Sequence, residues 1–509
     1  MSGSPIDGAD MREVDGTNFL ALQEYLYGQL DRAAKEPLNR QLYRALRGAI
    51  LAGRLAADAV LPASRELAGA LGLARNTVLH AYEQLCAEGY CSSRVGAGTY
   101  VARVLPDPAP KQARRAVGGQ QRVCLSQRAE ALLVQFRRSE ENSGPAFAPG
   151  LPDLASFPWA TWQKLLQARQ RSMRPVEYDY RTEGGHAELK AALADYLRLS
   201  RGVNCSAEQI LVTGGMQQSL DLLARALADH GDAAWIEEPG YAGARVALLA
   251  AGLAVHGVPL DAEGLDWRGQ ALPRPRLIYV TPSHQYPLGS VLSLARRQAL
   301  LQEAGRHDAW VLEDDYDSEF RHRGRPLAAM QGLDRAGRVI YLGTFSKVMF
   351  PALRLGYLVA PAGLVEPLRR LQARLYRESD YLTQATLADF ISEGHFGSHL
   401  RRMRGIYAAR QDKLRDTLAE QLDDALPLYG GEAGMHVTAR LPEGSDDVAI
   451  SRLLAQEGIL APPLSGYCLG APPFPGLVLG YAGVDDAGLR LAAVRLARTL
   501  KTAGVFATL

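Results

Sequence analysis

Residues 344–357 read TFSKVMFPALRLGY, with Lys347 and Arg354 seven positions apart. A lysine that forms a Schiff base must lose its proton at neutral pH, and burial among apolar neighbours favours that loss, as does nearby positive charge. Phe345, Val348, Met349 and Phe350 supply the apolar setting, which makes Lys347 a candidate imine-forming residue. Thr344, Ser346 and Arg354 offer hydroxyls and a guanidinium to a phosphate. Alone, Ser-Lys-x6-Arg is a weak motif.

The run before it, Val339-Ile340-Tyr341-Leu342, is strand-like. Similar runs recur at Ile210-Leu211-Val212, Ala234-Trp235-Ile236, Leu277-Ile278-Tyr279-Val280 and Trp310-Val311-Leu312, alternating with helical periods. Strands separated by helices predict an α/β fold, a largely parallel sheet covered on both faces. TGGMQQSL (213–220) follows one strand and opens a helix, so Gly214, Gly215 and Met216 can bring backbone N–H groups to a phosphate at the positive helix end. VLEDDYDSEF (311–320) places Asp314 at a strand end, where one carboxylate keeps a pyridine nitrogen protonated and the ring an electron sink. Tyr316 is then placed to bond the ring hydroxyl. Tyr241 in EEPGY can cover a flat ring, and TPSHQYPLG offers His284 and Gln285 as ring neighbours. Each segment also has an ordinary explanation: glycines serve tight turns, a turn tyrosine packs on a core, and Asp315, Asp317 and Glu319 solvate a loop. Their joint order is the signal.

With 509 residues the chain is about three domain lengths, so more than one core is expected. Apolar and charged fractions of 47% and 22% exclude wholesale disorder and fibrous architecture. The net charge of +2 is too small to argue for a polyanionic partner globally, so any nucleic-acid case has to be local. The five scattered cysteines include no CxxC pair, suggesting neither a disulfide framework nor zinc. No metal site is expected, and a reducing cytoplasm fits best. The N-terminus lacks a basic start with an apolar core, and no apolar run approaches the roughly 20 residues that span a bilayer.

Residues 1–35 read as an N-terminal extension with one short apolar-periodic piece near Phe19–Leu26, a candidate helix. Residues 36–103 show three helical stretches and two strand-like runs, the pattern of a winged helix-turn-helix. Residues 104–144, including VLPDPAPKQARRAVGGQQR, read as a basic linker, and 145–509 as the α/β body. In the small unit Ser64 is a candidate helix cap. Arg75, Asn76 and Thr77 open the third helix, where side chains can reach base edges in the major groove. Ser64, Arg65, Arg94, Gly96, Gly98 and Thr99 are candidates for phosphate or wing contacts. Eight arginines against five acids over 36–103 give a local positive excess. A helical protein-interaction domain with a solvated charged face has the same pattern.

The stretch 42–101, LYRALRGAILAGRLAADAVLPASRELAGALGLARNTVLHAYEQLCAEGYCSSRVGAGTYV, resembles the winged helix of GntR-type regulators, which carry LP-x-SR-x-LA, R-x-TV and G-x-GT-[YF]-V. Ala63 and Ala74 stand where serine is common, which removes a cap or a phosphate contact. The ordered set YDYRTEGG, TGGMQ, EEPGY, TPSHQYPLG, EDDYD and TFSK-x6-R resembles the fold-type I aminotransferases over about 145–509. That resemblance implies large and small domains binding pyridoxal 5′-phosphate. In it Lys347 is the Schiff-base lysine, Asp314 the partner of the pyridine nitrogen, Tyr316 the O3′ partner and Tyr241 the stacking ring. Gly215, Met216, Ser346 and Arg354 form the phosphate cup, and Tyr180 reaches the neighbouring subunit's phosphate. Tyr286 replaces the family's asparagine, and Val478 stands where an arginine grips a substrate carboxylate, which puts efficient transamination in doubt unless Arg245, Arg440 or another arginine takes over.

Together the two parts resemble the MocR/GabR family of transcription regulators. The resemblance implies a head-to-tail, domain-swapped homodimer on promoter DNA. It would sense pyridoxal phosphate, or an amino compound joined to it as an external aldimine, and so control a metabolic operon. The alternatives are a working aminotransferase with a DNA-binding appendage, and a cofactor-free dimerisation scaffold.

Overall fold

The computed structural model describes residues 16–94, 98–104, 125–136, 146–324, 327–378 and 380–506, and the chain divides into two compact units, Met1–Val123 and Cys124–Leu509. Gly96 and the linker's Lys111, Arg114 and Arg115 lie outside the described residues.

The first unit holds helices α1 (Gly16–Gly28), α2 (Leu38–Leu51), α3 (Ser64–Leu71) and α4 (Arg75–Ala87), then the antiparallel hairpin β1 (Cys91–Arg94) and β2 (Gly98–Val101). Leu42, Leu46 and Ile50 of α2 meet Leu67, Ala68 and Leu71 of α3 and Val78, Ala81 and Leu85 of α4 in one core, as the helical spacing requires. The N-terminal extension, with its candidate helix, contributes to this unit. Leu22 and Leu26 of α1 are buried in that same core. Gln23 donates to the Ala70 carbonyl at 2.9 Å, and Arg32 donates to the carbonyls of Leu71 and Gly72 at 2.8 and 3.1 Å. Ser64 does not cap α3 but is its first residue. Ala63 and Ala74 hold the cap positions of α3 and α4, without a side-chain bond.

In the second unit a helix α5 (Gln127–Phe136) stands inside the stretch expected to be linker. The central sheet has strands β3 (Ile210–Thr213), β4 (Ala233–Glu238), β5 (Ala254–Asp261), β6 (Gly264–Leu265), β7 (Pro275–Val280), β8 (Trp310–Asp315), β9 (Val339–Thr344) and β10 (Gly356–Val359), ordered β3-β10-β9-β8-β7-β4-β5-β6. Strands β5, β4, β7, β8 and β9 pair in parallel, as expected. The exceptions are β10, antiparallel to both neighbours, and the short β6, antiparallel at the edge. Only residues 345–355 join β9 to β10, fewer than a parallel crossover needs, so the chain must reverse there.

Both faces of the sheet are covered. On one, Trp162 and Leu165 of α6 (Trp159–Ser172) and Leu189, Leu193 and Leu197 of α7 (Ala187–Arg201) share a core with Ile210, Val212, Tyr341 and Tyr357. On the other, Leu220, Leu223 and Leu227 of α8 (Met216–Leu227) and Ala244 and Leu248 of α9 (Ala242–Ala250) pack on Leu211, Ile340, Leu342 and Leu358. Alternate strand residues serve opposite faces, the two-residue period of a pleated strand. Helix α5 packs against α9. The C-terminal part adds the antiparallel sheet β11 (Leu428–Tyr429), β12 (His436–Arg440) and β13 (Gly476–Gly480), with the long helices His395–Leu422 and Asp486–Thr502. Its Leu414, Val437, Leu477 and Leu496 continue the first core rather than forming a separate one. Among the described residues no helix is long and apolar enough to cross a membrane.

Candidate functional site

The parallel strands all deliver their C-terminal ends to one edge of the sheet, the edge outside which open α/β sheets gather ligands. A cavity of about 310 Å³ lies there, within the range of small-molecule sites. Residues leaving β7 (Thr281, Tyr286), β8 (Asp314, Tyr316) and β9 (Thr344, Ser346, Lys347) line it, with Gly214, Gly215 and Met216 from the turn between β3 and α8, and Tyr241 from the turn after β4. Of the fourteen residues expected at the cofactor, eleven meet at this one cavity; His284, Gln285 and Tyr180 do not line it.

At one end the chain builds an anion cradle. Gly215, at φ 107°, adopts a conformation open in practice only to glycine and holds the cap position of α8 without a side-chain bond. The first N–H groups of α8 are therefore free to meet an anion at the positive end of the helix. Arg354 ends the short turn Pro351–Leu353 in the left-handed region, φ 51°, uncommon for a side-chain-bearing residue, and lines the same cavity. Thr344 Oγ1 accepts from the Ser346 N–H at 3.2 Å, which tightens the loop bearing both hydroxyls.

Across the cavity stands Asp314. The Tyr279 hydroxyl donates to its Oδ2 at 2.5 Å, while Oδ1 is buried with no hydrogen-bond partner. Burial pushes this carboxyl up to about 7, with repulsion from Asp315, Asp317 and Glu237 adding to it and the Tyr279 bond opposing. Lys347 donates from Nζ to the Gly150 carbonyl at 3.0 Å. Burial lowers its pKa below the ordinary lysine value, against the attraction of Asp317 and Asp314. Gly150, at φ +68°, leaves room for it, since a Cβ there would stand 2.8 Å from Nζ. An orphaned buried carboxylate oxygen, a lysine disposed to lose its proton and an anion cradle on one wall fit a pyridine nitrogen, an aldehyde carbon and a phosphate. The residues present therefore fit pyridoxal phosphate.

Other residues that the sequence singles out stand away from the cavity. His284 lies behind the cavity wall, its ring stacked on Tyr316 at 5.9 Å and its Nδ1 2.9 Å from Asp317 Oδ1. Tyr316 fills the position at the wall. Gln285 likewise bonds backward, to the Pro239 carbonyl at 2.9 Å. Tyr180 is 80% exposed and away from its own chain's cavity. Asp315, Asp317 and Glu319 do not solvate a loop: Asp315, buried, pairs with Arg201 at 2.7 Å, Asp317, also buried, holds His284, and the half-buried Glu319 accepts from Tyr196 at 3.2 Å. Neither candidate replacement for the carboxylate-gripping arginine lines the cavity. Arg245 donates to the carbonyls of Cys468 and Gly466, and Arg440 pairs with Glu443 on the surface. Val478 is buried in β13.

Residues that sequence reasoning missed are Tyr279, Thr281, Gly150 and Gln217, which line the cavity, and Tyr467, whose hydroxyl accepts from that of Tyr286 at 3.2 Å. Tyr279 was hidden inside an apolar strand run, and Gly150 and Tyr467 come from segments with no motif.

In the first unit Arg75 and Asn76 are exposed and Thr77 half-buried on the first turn of α4. The Arg75 Nε stands 3.4 Å from Ser64 Oγ. Arg65 is exposed beside them, Gly98 is exposed at the start of β2, and Thr99 is half-buried, its carbonyl accepting from the Leu61 N–H at 2.7 Å. Arg94 contributes its backbone to β1, paired with Gly98.

Two family models match the chain: "Bacterial regulatory proteins, gntR family" over residues 38–101 and "Aminotransferase class I and II" over 154–496. The chain is 46% identical to the "Probable rhizopine catabolism regulatory protein MocR" of Rhizobium meliloti over 91% of its own length and 93% of that protein. It is 33% identical to the "HTH-type pyridoxine biosynthesis transcriptional regulator PdxR" of Corynebacterium glutamicum, over 88% and 93%. Among solved structures, the α-aminoadipate aminotransferase LysN of Thermus thermophilus, complexed with N-(5′-phosphopyridoxyl)-L-leucine, matches with a TM-score of 0.66 at 28% identity, covering 75% of this chain and 96% of that one.

Proposed function

The chain belongs to the MocR family, pyridoxal phosphate-dependent transcription regulators with a GntR-type DNA-binding domain and an aminotransferase class I and II domain, and from that premise we propose that its cavity is a sensor whose occupancy sets the arrangement of two DNA readers. The carrying observation is the facing pair of Asp314, with its unpartnered Oδ1, and Lys347, with its lowered pKa.

Bound pyridoxal phosphate supplies an aldehyde that condenses reversibly with primary amines, of the protein or of an effector. The chain's residues do the rest. Asp314 would hold the ring nitrogen through Oδ1, and the charge this requires would be drawn out of a carboxyl that burial otherwise keeps near half-protonated at pH 7. Lys347 offers an amine that loses its proton readily, steered by the Gly150 carbonyl. The N–H groups at the start of α8, the Thr344 and Ser346 hydroxyls and Arg354 hold the phosphate. Tyr241 covers one ring face, and Tyr316 donates to the ring hydroxyl. Arg354 is the only arginine among the described lining residues. With the phosphate taking it, no described guanidinium is left for a substrate carboxylate, which supports sensing of an amino compound over efficient amino-acid transamination.

The working unit is a head-to-tail homodimer in the cytoplasm, on promoter DNA. Val176, Tyr178 and Tyr180, close in the chain, are 56%, 57% and 80% exposed, which supports burial of this segment against a second copy, where Tyr180 would reach that copy's phosphate. In each reader Arg75, Asn76 and Thr77 meet base edges, while Ser64, Arg65, Arg94, Gly96, Gly98 and Thr99 meet the backbone or minor groove. An effector shifts the dimer only by its differential affinity for the two arrangements. The test is spectroscopic. Added pyridoxal phosphate should give wild type the visible absorption of a lysine-bound cofactor, and Lys347→Ala should lack it; an unchanged spectrum in the variant refutes the assignment.

A further inference from the structure

We propose that Asp317 and His284 are positioning residues that force the Tyr316 hydroxyl to donate its proton into the cavity rather than into the protein. The inference rests on the reading of Tyr316 as the partner of the cofactor's ring hydroxyl and adds what makes it a donor there.

The geometry poses a conflict over one atom. His284 Nδ1 lies 2.9 and 3.1 Å from the two oxygens of Asp317, and the Tyr316 hydroxyl lies 3.0 Å from the same nitrogen. A ring nitrogen either carries a proton or presents a lone pair. With a bare Nδ1, Tyr316 would donate to it, and its proton would be lost to the cavity. The surroundings exclude that state. A bare Nδ1 would turn its lone pair on the carboxylate of Asp317, itself only 1% exposed. The ring proton would then move to Nε2, which is buried without any hydrogen-bond partner, and an unsatisfied buried N–H is disfavoured more than an unused lone pair.

The remaining neighbours reinforce the choice. His436, whose ring centre is 5.1 Å from that of His284, bonds through Nε2 to the Pro287 carbonyl and offers His284 nothing. Burial pushes His436 down to about 3, so it is neutral. The backbone closes the pocket on the other side, since a Cβ at Gly434 would collide with the His284 ring. Asp317 thus keeps the proton on Nδ1. That N–H is shared with the Tyr316 oxygen, and the Tyr316 O–H has only the cavity to donate to. His284 and Asp317, both off the cavity wall, in this way set the polarity of a group on it.

The experiment follows the pH midpoint of the visible absorption change of cofactor-loaded protein. Donation to the ring hydroxyl oxygen stabilises its ionised form and so lowers that midpoint, and losing the donor raises it. Tyr316→Phe is expected to raise the midpoint by about one pH unit, a roughly tenfold change in proton affinity. Asp317→Ala, which frees Nδ1 to accept from Tyr316, is expected to raise it by a similar amount. In the Tyr316→Phe background Asp317→Ala should add nothing, whereas His284→Asn, which keeps an N–H toward Asp317, should stay near wild type. If Asp317→Ala takes up the cofactor yet keeps the wild-type midpoint, or adds its own increment to Tyr316→Phe, the proposal is overturned. If Tyr316→Phe itself moves nothing, the underlying reading of Tyr316 fails first. A histidine-selective ¹⁵N spectrum of wild type, with His284 assigned through His284→Asn, reads the tautomer without any substitution at Asp317. A protonated Nδ1 supports the proposal, and a bare Nδ1 overturns it.

Discussion

The Tyr279 hydroxyl binds one oxygen of Asp314 at 2.5 Å and leaves the other, Oδ1, buried with no partner at the cavity. A buried carboxylate with half its bonding capacity unused is costly unless something else completes it. The same atom therefore lowers the stability of the empty protein and, in the proposed reading, is the one that would bond the cofactor.

Asp314 binds its proton more tightly in the folded, cofactor-free protein than in the unfolded chain, its pKa rising from 3.8 to about 7. A raised carboxyl pKa means that the folded state holds more protons between those values, so this group subtracts stability as pH climbs from about 4 to beyond 7. Asp314→Asn should make the cofactor-free protein more stable than wild type at pH 8, by about 1–3 kcal/mol, with the difference vanishing near pH 4. Urea unfolding at the two pH values checks it.

The same substitution should weaken cofactor binding by roughly 10- to 100-fold, the worth of a charge-assisted hydrogen bond of about 1.5–3 kcal/mol. Wild-type affinity should fall as pH drops through 7, while that of Asp314→Asn changes less there. Fluorescence titration with pyridoxal phosphate reads both.

Ala74 holds the cap position before α4, and its side chain caps nothing. Ala74→Ser should stabilise the DNA-binding unit by about 1 kcal/mol, seen as a higher unfolding midpoint of the full chain by circular dichroism. A serine oxygen there also takes an N–H that a DNA phosphate would otherwise receive, so operator affinity should not rise in proportion.

Arg32 joins the N-terminal extension to the turn before α4 through the carbonyls of Leu71 and Gly72. Arg32→Ala should cost about 1–2 kcal/mol in that unit and weaken operator and random DNA alike. Arg75→Ala should instead reduce discrimination between operator and random sequence, by about 1–3 kcal/mol if Arg75 reads a base in bidentate fashion. Competition binding at fixed salt separates the two effects.

How much of this was legible in the sequence depended on whether a residue's partners lie near it in the chain. Lys347, Ser346 and Arg354 sit in one segment, and the helices of the reader follow a local period, so both could be read directly. Tyr279 could not, because in a strand facing α8 and α9 a tyrosine looks like any core residue until Asp314 arrives from β8 to take its hydroxyl. Asp315, Asp317 and Glu319 looked like loop solvation because acidic residues after a strand usually are. Their partners Arg201, His284 and Tyr196 come from 114, 33 and 123 positions away. The antiparallel β10 is legible afterwards from the shortness of its connection to β9, a length that sequence shows but pattern reading had not weighed.

The coupling of cavity to DNA is tested most directly by measuring operator binding while pyridoxal phosphate is titrated, for wild type and Lys347→Ala side by side. Wild type should change its operator affinity or its footprint as the cofactor binds, and Lys347→Ala should keep one binding mode throughout. An identical response from both proteins, or none from a wild type that is spectroscopically loaded, would contradict a sensor worked through that lysine.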